Sequence, residues 1–163
     1  MSTSPESNPN FYGIGSFGYL MRRLTQLMIE RIEARFDGEA VTFSQFIALV
    51  TLNAGETHTA ADVARFLGHD AGATTRLIDQ LEQRGLLTRE RSTEDRRIIH
   101  LTVTAAGKAM IKQCASTAAR FHFDLLGDLK ASELSHLMDQ LRGLIEKLQA
   151  TPVEPPDGKR RGK

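Results

Sequence analysis

Four arginines crowd one short segment. In RERSTEDRRIIHLTVT, residues 89–104, Arg89, Arg91, Arg96 and Arg97 gather around Glu94 and Asp95, with apolar residues on either side. Guanidinium groups bind phosphate oxygens through charge-assisted hydrogen bonds, so the chemistry this cluster offers is contact with a polyanion. Asp95 would repel such a partner if it pointed outward. Two residues from Arg97, it makes sense instead as an ion pair that holds the guanidinium in one rotamer. The bland alternative is a solvated turn whose surface ion pairs are worth about 0–1 kcal/mol each, and the elements around the segment decide between the two. Other chemistries find little support. His58, His69, His100, His122 and His136 are scattered, with no two at metal-ligand spacing beside a Cys or carboxylate cluster, so neither metal nor cofactor is expected. No Gly-rich phosphate loop, nucleophile elbow or H-E-x-x-H stretch is present, and no enzyme is expected.

The elements that must position the cluster can be read from periodicity and punctuation. Phe17, Leu20, Met21, Leu24, Leu27, Met28, Ile32 and Phe36 recur at three- and four-residue spacing and predict a long amphipathic helix that Asp37-Gly38 stops. Thr42 and Gln45 form a T-x-x-Q capping box ahead of a second helix, FSQFIALVTL. Thr59 is placed to cap a short third helix ended by Gly68, and Asp70 a fourth, AGATTRLIDQLEQR, closed by Gly85. The short Gly-containing turn between these two has the spacing of a helix-turn-helix. LLTRER and RIIHLTV, separated by STED, predict a β-hairpin with the arginine cluster at its tip. Thr104 caps a fifth helix, and a sixth carries an apolar seam at Leu134, Leu137, Leu141, Leu144 and Leu148.

Composition narrows the class further. The chain has 163 residues, 40% hydrophobic and 25% charged, about one domain's worth of a soluble globular protein. With 21 Lys+Arg against 20 Asp+Glu, affinity for a polyanion must come from where the charge sits rather than from its sum. One cysteine excludes an intrachain disulfide and fits a reducing compartment. No apolar run suits a membrane span and the first ten residues lack a secretory signal, so a cytoplasmic protein without membrane contact is expected.

The order helix, helix, helix-turn-helix, hairpin, helix, helix resembles the multiple antibiotic resistance regulator (MarR) family from about Phe17 to Leu148. TFSQFIAL, DAGATTRLIDQLEQRGLL and DRRIIHLTVTAAG carry the resemblance, the last most specifically, through an Asp, an Arg two residues on and a Thr-x-x-Gly after the strand. The resemblance implies a mainly α winged helix-turn-helix with a small β-hairpin wing and six helices, dimerising through its N- and C-terminal helices. The expected division is a flexible arm (1–10), dimerisation helix 1 (11–36), a DNA-binding lobe (37–103), dimerisation helices 5 and 6 (104–150) and a flexible basic tail (151–163).

The implied partner is double-stranded DNA. Arg97 is then the candidate for the minor groove, where phosphate walls concentrate negative potential, with Arg89, Arg91 and Arg96 reaching phosphates beside it. In the fourth helix Ala71, Gly72 and Ala73 let the backbone approach a phosphate. Thr75, Arg76 and Gln80 face a major groove. A single reader covers few base pairs and the sixth helix's seam lacks an evident partner, so a homodimer burying Leu134, Leu137, Leu141, Leu144, Ile145 and Leu148 is expected, on a pseudopalindromic site. The family commonly binds small aromatic anions near helices 1, 2 and 5, which singles out Tyr19, Arg23, Phe43, Phe46 and His58 for a small-molecule effector that would release a repressor. Some relatives sense oxidants through a Cys near the start of helix 1, whereas Cys114 falls inside the fifth helix. A thiol-based sensor and a winged helix that meets an acidic protein are the alternative readings.

Overall fold

The structure, a computed structural model, describes residues 8, 10–93, 95 and 97–152. Among them are six helices and one hairpin: α1 (Phe17–Arg35), α2 (Phe43–Ala54), α3 (Ala60–Leu67), α4 (Ala71–Gln83), β1 (Leu87–Arg91), β2 (Ile99–Val103), α5 (Ala105–Leu126) and α6 (Ala131–Ala150). Two compact units are present, residues 1–121 and 122–163. Most of the expected arm and tail, residues 1–7, 9 and 153–163, lies outside the described residues.

The helix boundaries follow from local chemistry. Thr42 and Gln45 form the expected reciprocal box at the start of α2, and Thr59 and Asp62 form a second at the start of α3. The Asp70 side chain accepts the Ala73 amide and so satisfies one of the donors that open α4. Gly68 and Gly85 follow α3 and α4 with φ of 66° and 67°, the left-handed conformation that ends a helix at low cost in a residue without Cβ. At the start of α5 the Thr104 hydroxyl accepts from the Gly107 amide and donates to the Gly85 carbonyl, 2.7 Å away.

The core of the first unit joins α1, the helix-turn-helix, the hairpin base and α5. Ile32, Phe36, Val41, Phe46, Leu49, Val63, Ile78, Leu81, Leu87, Leu101 and Val103 pack there together with Cys114, Ala118 and Phe121. Leu49, Val63, Ile78 and Leu81 are fully removed from water, and burial of side chains this size contributes roughly 1.5–3 kcal/mol each. Leu77 and Leu81 face inward as the periodicity predicts, and Thr74 joins them at 1% exposure, its hydroxyl bonded to the Asp70 carbonyl. Gly107 explains why a Gly follows Thr104 by three residues. A Cβ there would press into the Leu86 carbonyl and lie 2.6 Å from Val103 Cγ1, so α5 can start this close to the hairpin base only without one.

β1 and β2 pair antiparallel, with Leu87 opposite Val103, Arg89 opposite Leu101 and Arg91 opposite Ile99. The Leu101 amide on β2 also donates to the His58 carbonyl in the α2–α3 connection, 2.8 Å away, so the hairpin is anchored laterally as well as at its base. In the second unit α6 has no buried residue. Leu134 and Leu141 are half-buried, whereas Leu137, Leu144, Ile145 and Leu148 are exposed.

Candidate nucleic-acid interface

At the hairpin tip Asp95 clasps Arg97 with both carboxylate oxygens. Arg97 Nε and Nη2 donate to Oδ1 and Oδ2 at 3.2 and 3.1 Å, and the Arg97 backbone N–H donates to Oδ1 at 2.9 Å. The Arg97 side chain nevertheless keeps 91% of its exposure against 38% for Asp95, so the acid sits under the base and leaves the guanidinium facing outward. Hydrogen bonds from the Arg97 side chain, then its backbone, hold the Asp95 carboxyl below the usual range. The Asp95 N–H donates to Ser92 Oγ, and the Ser92 and Ile98 amides close the turn around it. Arg91 is exposed on β1, while Arg96 and Glu94 lie outside the described residues.

Arg89 does not reach out beside the tip as the sequence suggested. Directly opposed residues in an antiparallel pair share a face, so Arg89 lies on the face of Leu101 and turns toward α4. Its Nη2 meets Asp79 at 2.5 Å and its Nη1 meets Glu82 at 2.7 Å, which ties the wing to α4. Strand alternation from the apolar Leu87 carries that signal, and so do the two acids one turn apart on α4, Asp79 and Glu82.

On α4, Ala71, Gly72, Thr75, Arg76 and Gln80 are exposed and Ala73 is half-buried. The Thr75 hydroxyl donates to the Ala71 carbonyl at 2.8 Å, leaving its methyl and its acceptor lone pairs for a partner. The Ala73 amide, then that of Gly72, holds the Asp70 carboxyl below its ordinary range, keeping the cap ionised at the helix start. Gln80 is tied down by a residue of the α2 capping box. Gln45, 6% exposed, donates from Nε2 to Gln80 Oε1 at 2.8 Å, while its own Oε1 accepts from the Thr42 N–H at 3.2 Å.

The residues expected to hold a small molecule fall into separate environments. Tyr19 and Arg23 line a depression with Arg22 and Gln26, all on α1. Phe43 and Phe46 pack against Phe36 with ring centroids 5.4 and 5.2 Å from it, Phe46 deep in the core. His58 lies in the α2–α3 connection, its backbone N–H directed at Asp62 Oδ2. Cys114 is fully buried, and its Sγ lies 3.8 Å from Glu39 Oε2, an acid whose other oxygen accepts from Thr117. Burial, and then the Glu39 carboxylate, pushes the Cys114 thiol up, opposite to what a reactive thiolate requires. Among the described residues no His, Cys, Asp and Glu group could hold a metal ion, and no helix is long and apolar enough to cross a membrane.

A capped helix-turn-helix followed by a hairpin with a presented arginine defines a winged helix-turn-helix protein. The MarR family profile matches residues 41–99, from α2 into the wing. The organic hydroperoxide resistance transcriptional regulator of Bacillus subtilis (strain 168) is 31% identical over 132 residues, covering 80% of this chain and 87% of the relative. The transcriptional repressor MprA of Escherichia coli (strain K12) is 26% identical over 131 residues, covering 79% of this chain and 74% of that protein. The crystal structure of wild-type apo MarR from E. coli superposes with a TM-score of 0.68 at 25% identity, covering 79% of this chain and 96% of that one. The chain belongs to the MarR family, whose members are transcriptional regulators and not enzymes.

Proposed function

We propose that this protein is a homodimeric repressor that binds double-stranded DNA sequence-specifically and is released by a small anionic aromatic effector. The observation that carries the DNA reading is the Asp95–Arg97 clasp, which presents an almost fully exposed guanidinium at a narrow hairpin tip in the same unit as a helix-turn-helix. The pair orients the guanidinium and still leaves it open to solvent, as a minor-groove contact requires. Arg76, Thr75 and the small residues at the start of α4 supply the major-groove side, with Arg91 and Arg96 on phosphates and Arg89 bracing the wing. The repressor role is supported by the likeness to MprA.

A second copy suits the apolar surface the single chain leaves uncovered. Phe17, Leu20 and Leu24 of α1 are 51%, 51% and 44% exposed, and Leu137, Leu144, Ile145 and Leu148 of α6 form a seam in solvent. For the effector, Tyr19 and Arg23 remain the favoured anchors, a ring and a guanidinium on one face of α1, whereas Phe43 and Phe46 serve the core. An operator titration with Arg97→Ala tests the central reading. Binding is expected to weaken by about 1–3 kcal/mol and the salt slope to become shallower, with the oligomeric state unchanged. Unchanged binding would remove the wing from the interface.

A further inference from the structure

We propose that Gln80 selects a base that offers hydrogen-bond acceptors, guanine first and thymine second, because Gln45 fixes which end of the Gln80 amide is left for DNA. The inference rests on the DNA-binding reading above. A backbone N–H can only donate, so Gln45 must turn Oε1 to the Thr42 amide. That leaves Nε2 as the group Gln45 presents to α4, and an amide nitrogen can only donate, so Gln80 must answer with Oε1. Each step forces the next. Gln45 is buried inside a capping box that also ties its own N–H to Thr42 Oγ1, so flipping its amide would set donor against donor at Thr42 and acceptor against acceptor at Gln80.

What Gln80 keeps wholly free is Nε2 with two protons, its Oε1 holding only a second lone pair beside the Gln45 bond, on an exposed residue one turn on from Arg76. Among the described residues no partner takes them. An unrestrained glutamine reads adenine with both ends of its amide, donating to N7 and accepting from N6. With Oε1 committed to Gln45 the second half of that pairing is weakened, whereas guanine N7 and O6, or thymine O4, ask only for donors. Cytosine offers N4–H against N–H and is disfavoured. A feature of the helix-capping chemistry of α2 thereby sets a base preference on α4.

The test is selection of sites from randomised duplex DNA by the full chain and two variants, with thermal melting as the folding control. Gln80→Glu keeps an acceptor for Gln45 Nε2 and so keeps the fold, but turns an acceptor toward the groove. At one position per half-site the preference is expected to move from guanine or thymine to cytosine, by on the order of tenfold in the base ratio. Gln45→Met frees the amide of Gln80, and adenine should then rise to rival guanine at that position. Identical base profiles for the three proteins, or an adenine preference already in the unaltered chain, would overturn the inference while leaving DNA binding intact. A chain that enriches no sequence from the pool would overturn the DNA-binding reading and this inference together.

Discussion

Asp95 tests whether charge or orientation governs the wing. Removing a carboxylate from a surface facing a polyanion ought to tighten binding if only net charge counts. The clasp predicts the opposite, because Arg97 without Asp95 returns to many rotamers and must be ordered on binding. Asp95→Ala is therefore expected to weaken operator binding by about 1 kcal/mol at fixed salt, and tighter binding in a gel-shift titration would show that the acid has no orienting role. The pH dependence has a definite sign. Asp95, Asp62 and Asp70 all have folded pKa values below the ordinary one, through Arg97, the Thr59 hydroxyl and the Ala73 amide respectively. Their contributions are present above the usual Asp value of about 3.9 and are lost as pH falls through the lowered values. The caps and the clasp should thus hold from pH 8 to 5, and circular dichroism should show loss only on stronger acidification. Cys114 belongs to this scale too. Buried and pushed toward the neutral thiol, it is expected to resist a thiol-specific reagent in the native protein and react only in denaturant, and peroxide should leave operator binding unchanged. The two-residue spacing of Asp95 and Arg97 made their pairing legible from sequence, whereas the inward turn of Arg89 required the strand register as well.

The boundaries of α2, α3, α4 and α5 were written in single residues, since a cap needs only a side chain and an amide three positions on. The contacts between these elements were not. Gln45 and Gln80 lie 35 residues apart, and nothing in either local pattern announces that one amide will face the other. Gly107 was legible as part of a motif but not in its cause, which is the approach of α5 to the Leu86 carbonyl. Gly107→Ala is expected to lower stability by about 1–3 kcal/mol in urea denaturation, as overpacking of a tight contact does. A variant as stable as the original would mean that α5 can slide away from the hairpin base at no cost. The start of α5 is also where Thr104 bridges to Gly85, so loss of fit there reaches the end of α4.

Across the whole molecule, the sequence foretold an apolar seam on α6 through its three- and four-residue steps, and the single chain leaves most of that seam in solvent. Leu141→Glu, which sets a charge in its middle, is expected to yield monomer by light scattering while circular dichroism still reports helix; a persistent dimer would place the interface elsewhere. The proposed effector site was the least legible part, because aromatic residues at helical spacing serve a core as readily as a ligand, and Phe43 and Phe46 do serve the core. Should an aromatic carboxylate act through α1, Arg23→Ala ought to abolish its effect on an operator titration and spare binding by the ligand-free protein; a hundredfold effect corresponds to a coupling of about 2.7 kcal/mol. The bond from Leu101 to the His58 carbonyl bears on how such a protein meets an imperfect site. Pinned at its root by Thr104 and partway along by His58, the wing is a cantilever whose overhang starts beyond Leu101. If the wing enters a groove as proposed, local variation in groove width would be absorbed within that overhang while the Arg89 pairs keep the wing fixed against α4, so operators altered in groove width at the tip are expected to be bound better than operators in which the wing contact is displaced along the duplex.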